Sequence, residues 1–142
     1  MRMFKQLAAL GAALVLAAAP AAAQDVKVIV NSGNATADLP AATVAKLFLK
    51  EAAKFPNGTA ATPVDQVKSS ATRAAFSKAI LGRPVSAVET YWQQQIFSGK
   101  EVPPTTKAND DEVIAFVKAN AGAIGYVSAG ASTAGVKVVD VK

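Results

Sequence analysis

From Val26 onward, apolar positions recur either at every second residue or at every third and fourth, and the changes of spacing mark out the elements. Val26 to Val30 alternates weakly and is rich in β-branched residues, which predicts a strand. Asn31-Ser32-Gly33-Asn34 then has the composition of a turn; Ser32 and Gly33 could line a ligand site, but small polar residues after a strand are usually just a turn. Asp38-Leu39-Pro40 opens a first helix, where the N–H that proline lacks would be unpaired in any case. Its apolar face is Val44, Leu47 and Phe48, and Phe55-Pro56-Asn57-Gly58 ends it. Thr62 to Gln66 predicts a second strand, and Thr72, Phe76, Ala79 and Ile80 form the stripe of a second helix that Gly82-Arg83-Pro84 stops. Ser86 caps a third helix, in which Val85, Val88, Trp92 and Ile96 face the core with Tyr91 and Phe97 beside them. Trp92 and Tyr91 could stack on a ligand, but an aromatic stripe at helical period is more often core.

Glu101 to Lys107 reads as an extended, proline-stiffened loop. Asn109 and Glu112 have the spacing of a capping box, opening a fourth helix with Val113, Ile114 and Val117 inward, and Ala121-Gly122 ends it. Ala123 to Val127 predicts a strand whose Gly125 implies a close neighbour, and Val136 to Val141 is the last strand. No repeat or linker divides the chain. The order β-α-β-α-α-α-β-β is that of one α/β domain, a central sheet flanked by helices.

Composition changes this picture mostly by subtraction. The 142 residues include no cysteine and no histidine. Disulfides and thiol nucleophiles are therefore excluded, and the commonest general base and metal ligand are missing. A hydrolase would have serines but no placed base, and no cofactor motif is present. Asp110-Asp111-Glu112 cluster where a helix start favours negative charge. Residues 1–23 read as an export signal: Arg2 and Lys5, an apolar run from Leu7 to Ala19, then Ala21-Ala22-Ala23 as a cleavage site. That run is shorter than the roughly 20 apolar residues that cross a bilayer. Residues 24–142 would then form an exported domain with no membrane span. Setting aside Arg2 and Lys5 leaves 13 basic residues against 10 acidic ones, a balance of +3. The lysines are scattered, without the dense basic footprint of a nucleic-acid binder.

The candidate chemistry lies between the second strand and the second helix. The first N–H groups of a helix lack intrahelical partners and carry the positive end of its dipole. Ser69 and Ser70 at that start, with Thr72 and Arg73 in the first turn, could bind a phosphate-like oxyanion. The other reading is that Ser69 or Ser70 is simply an N-cap, contributing about 1 kcal/mol to the helix. In α/β sheets, ligands bind where strand ends meet helix starts, which marks the same corner.

Three stretches in order, Leu39 to Phe48, Ser69 to Phe76 and Gly122 to Val127, resemble the first helix, the Gly-Ser-Gly-Thr-Arg segment and the Gly-Ala-Ile-Gly-Tyr strand of periplasmic phosphate-binding proteins of ABC importers. The nearest pattern is that of small, single-lobe members. The resemblance implies a single periplasmic-binding-protein-like lobe and no enzymatic activity. It further implies a phosphate or related oxyanion as ligand, and an ABC transporter permease or periplasmic sensor as partner. Carried over, the family's oxyanion-binding serine and threonine are Ser70 and Thr72. The chain departs from the family pattern in four places: the family's two glycines are Ser69 and Ala71 here, and its arginine and aspartate are Gln66 and Lys68, although Lys68 and Arg73 keep the site cationic. Members of the family close two lobes around the anion, whereas this chain has the length of one domain. Two functions therefore follow as expectations: oxyanion capture at Ser69, Ser70, Thr72, Arg73 and Lys68, or a non-catalytic interaction module that keeps the fold without tight anion binding.

Overall fold

The computed structural model describes residues 26–142; the expected export signal lies outside them. Six strands form one sheet: β1 (Val26–Asn31), β2 (Asp38–Leu39), β3 (Thr62–Gln66), β4 (Thr105–Lys107), β5 (Ala123–Ser128) and β6 (Val136–Val141), in the order β2-β6-β1-β5-β3-β4. The sheet is mixed. β1 runs antiparallel to β5 and β6, while β3 is parallel to β4 and β5, and β2 is parallel to β6. The helices are α1 (Ala41–Phe48), α2 (Ala71–Phe76), α3 (Val85–Phe97) and α4 (Asp110–Ala119), and α2 runs on into a π-helical turn over Ser77–Leu81.

Helices cover both faces of the sheet, so the central strands are apolar on both sides. Val28 and Val30 of β1, with Ile124 and Tyr126 of β5, pack under Val44, Leu47 and Phe48 of α1 and Phe76 of α2. Ile29, Val64, Ala123 and Val127 pack on the opposite face against Val113, Ile114 and Val117 of α4. The predicted apolar faces of α1 and α4 are the ones buried. At the centre of the first cluster the rings of Phe76 and Tyr126 stack with centroids 3.9 Å apart, and Phe48 lies tilted 4.7 Å from Phe76. Such aromatic contacts add to the area they bury.

Four local expectations are corrected. Asp38-Leu39 does not open α1 but forms β2, because a residue before proline is driven out of the helical region. Leu39 then pairs with Val141, and Pro40 precedes the helix in an extended conformation. The stretch expected as a loop before α4 contains β4, since Thr105 and Thr106 regain the donors that Pro103 and Pro104 lack and pair along the edge of β3. The third helix starts at Val85 after Pro84, one residue ahead of Ser86. Ile96, expected in the core with Val88 and Trp92, is half exposed beside a nearly bare Phe97, because the last turn of α3 extends past the body it packs on.

Gly125 has the close neighbours its position in a strand implied. A Cβ there would stand 2.8 Å from methyl groups of both Val64 and Val113. Gly125→Ala should therefore overpack the sheet–α4 interface and cost about 1–3 kcal/mol, measured by denaturant unfolding. Wild-type stability in that variant would mean that α4 can lift off the sheet without penalty.

Candidate functional site

β3 delivers the chain to the corner marked by the sequence. Val67 N–H donates to Lys107 C=O at 3.0 Å, and Ser70 N–H donates to Val67 C=O at 2.9 Å, closing a turn with Lys68 and Ser69 exposed at its tip. Ser70 is the N-cap of α2: its Oγ accepts from Arg73 N–H at 3.1 Å. The same hydroxyl donates to Gln66 Oε1 at 2.7 Å. Its hydrogen-bonding capacity is therefore engaged within the chain.

Arg73 points inward. It is 5% exposed, with Nη2 donating to Glu89 Oε1 at 2.7 Å and Nη1 to Gln66 C=O at 3.3 Å. Nε lies 3.6 Å from Asp65 Oδ1. Asp65 is buried as well, and its Oδ1 also accepts from Tyr126 Oη–H and from Gln66 N–H at 2.8 Å. The stacking of Tyr126 on Phe76 fixes where that hydroxyl falls, and a buried hydroxyl needs a partner. Burial raises the Asp65 pKa above its ordinary value, an effect opposed by the Arg73 charge, the Tyr126 hydroxyl and the Gln66 amide. Burial and the neighbouring Asp65 both raise the Tyr126 pKa, so the phenol stays neutral and donates.

A second internal carboxylate lies at the carboxyl ends of β3 and β5. Asp110, in the first turn of α4, accepts from Gln66 Nε2 at 2.9 Å and from Ser128 Oγ at 2.6 Å. Asn109 caps that helix as expected, accepting from Glu112 N–H at 3.0 Å; Glu112 reaches back to Ala108 N–H at 2.9 Å. Among the described residues no group of three His, Cys, Asp or Glu side chains is placed to hold a metal.

The proposed site residues thus divide into two sets. Ser70 and Arg73 bind within the chain, while Lys68 and Ser69 face solvent and Thr72 is half exposed. Among the described residues no acceptor meets the N–H groups of Ala71 and Thr72, and no carboxylate pairs with Lys68. Sequence reasoning passed over the partners Asp65, Glu89 and Tyr126, and read Asp110 only as charge at a helix start. Glu89 carried one signal, a charge set beside Val85, Val88 and Trp92 on a helix face that is otherwise apolar.

No family model and no curated protein matches the sequence. Solved structures do share the fold. An ABC-type phosphate transport receptor from Vibrio cholerae superposes with a TM-score of 0.63 at 16% identity, covering 82% of this chain and 46% of its own. A phosphate ABC transporter substrate-binding protein with bound phosphate, from Clostridium perfringens, gives 0.62 at 20% identity, covering 82% and 44%. PstS from Borrelia burgdorferi gives 0.64 at 12%, covering 83% and 47%. The chain thus spans less than half the length of each. It has the α/β fold of phosphate-transport substrate-binding proteins, as a single lobe with a mixed sheet. Among the described residues, no helix is long and apolar enough to cross a membrane.

Arg73→Met should cost about 3–5 kcal/mol at neutral pH, because it leaves Asp65 buried without its cation. That deficit should narrow in acid, where Asp65 takes up a proton. In the wild type, the folded chain holds the Asp65 proton more tightly than the unfolded chain does. The group therefore contributes stability below the ordinary carboxylate range near 4 and loses it as pH rises through the raised folded value. Unfolding free energies of wild type and Asp65→Asn, compared across pH, should show the wild type losing ground as pH rises. A difference independent of pH would remove Asp65 as a titrating group.

Proposed function

We propose that this chain is an exported solute-binding lobe that takes phosphate or a chemically similar oxyanion, loosely, at the corner between β3 and α2. The observation that carries the reading is the pair of N–H groups of Ala71 and Thr72, which meet no acceptor among the described residues, beside Lys68, which pairs with no carboxylate among them. The hydroxyls of Ser69 and Thr72 complete the set of donors. Ser70 and Arg73 support the corner from behind, one as the cap and the other as the buried cation joining β3 to α2 and α3. Likeness of fold to phosphate transport receptors supports the choice of ligand. The role is binding rather than catalysis, delivering the anion to an ABC-type permease or a periplasmic sensor. A corner open to water screens each charged contact, so the affinity is low.

A second reading, a non-catalytic interaction module of the same fold, is favoured by the internal neutralisation of Arg73 and by the half-exposed Ile96 and nearly bare Phe97 at the end of α3. Calorimetric titration with phosphate and with sulfate separates the two. Under the binding reading, phosphate gives a dissociation constant on the order of 1 mM, and Lys68→Gln with Thr72→Val abolishes the heat. Absence of heat for both anions, together with self-association in sedimentation, would replace it with the interaction reading.

A further inference from the structure

Next to the same corner, and reaching it at Lys68, the chain forms a concavity. The π-helical turn widens the end of the second helix, and Gly82 ends it in the left-handed region at φ 68°. Ser77 clamps the reversal: its C=O accepts from Arg83 N–H at 3.2 Å, and its Oγ–H donates to Arg83 C=O at 2.6 Å. Pro84 then starts α3 at once. Between these segments lies a cleft of about 680 Å³, within the range of roughly 300–1,000 Å³ typical of small-molecule sites. π-helical turns occur often at functional sites.

The lining is of two kinds. Ala74, Pro84 and Val85 give apolar surface, and Lys68, Lys78 and Arg83 give three cations. Among the described residues none of the three pairs with a carboxylate. Glu89, one turn into α3, holds Arg73 instead. Arg83 lies 5.9 Å from the centre of the Tyr91 ring, a contact that orients the guanidinium and leaves its charge intact. A free inorganic ion would leave most of this volume and the apolar wall unused.

We infer that the cleft between the π-helical turn and the start of α3 is a binding site for a small organic anion, a phosphate or similar acidic group on an apolar body. Lys78 and Arg83 hold the acidic group, with Lys68 at the rim, and Pro84 and Val85 pack on the body. The arrangement goes beyond the proposed oxyanion corner and shares only Lys68 with it.

Amide NMR shifts of the purified protein test this with phenyl phosphate, with benzyl alcohol as the uncharged control and with inorganic phosphate. Phenyl phosphate should shift Ala74, Gly82 and Val85 saturably, with affinity falling as salt is added. Benzyl alcohol should bind more weakly by roughly tenfold or more. Lys78→Gln with Arg83→Gln should abolish saturation. Lys78→Glu alone reverses one exposed charge without touching the Arg83–Tyr91 contact, and it should weaken binding by at least roughly tenfold. No saturable shift at the cleft, undiminished affinity in Lys78→Glu, or equal binding of benzyl alcohol would overturn the inference. Inorganic phosphate is read separately, at Ala71 and Thr72. If it fails there while phenyl phosphate still binds the cleft, the oxyanion reading falls and this one stands.

Discussion

A guanidinium removed from water must find its counterions within the chain, and Arg73 finds two. Asp65 from the end of β3 and Glu89 from α3 meet it on two sides, and the Tyr126 hydroxyl of β5 donates to the Asp65 carboxylate. Four elements are thereby tied at one buried point, with the Phe76–Tyr126 stack alongside it. Taking these charges out of water carries a penalty of several kcal/mol per ion. The arrangement is therefore favourable only with every partner in place.

That constraint shapes the surface above it. With Arg73 neutralised from within, the outward chemistry of the corner falls to backbone N–H groups, small hydroxyls and Lys68. Asp110 has a corresponding place at the start of α4, filling the carboxyl end of β5 with a carboxylate that belongs to the chain. Lys68, Lys78 and Arg83, which line the cleft at the π-helical turn, are among the cations that pair with no carboxylate among the described residues.

Periodicity made most of the fold legible. The stripes of α1 and α4 and the central strands β1, β3 and β5 are where spacing put them, because burial on both faces of a sheet imposes strong patterns. Edge pairing was not legible. β2 and β4 are two and three residues long, too short for any period, and only partners distant in sequence define them. At the site, the capping role of Ser70 was readable from local sequence, since a cap bonds within one turn. The inward turn of Arg73 was not, because its partners lie eight residues before it and sixteen after it and depend on how α3 packs. Tyr126 was read as part of a strand; its hydroxyl acquired a role only once Phe76 fixed its ring.

The direct test of this account is a crystal structure of the protein grown in saturating phosphate. It should show the Arg73 guanidinium still bridging Asp65 and Glu89, with any anion density at the start of α2 lying against the N–H groups of Ala71 and Thr72. Phosphate bound directly by Arg73, with Glu89 displaced into solvent, would contradict it.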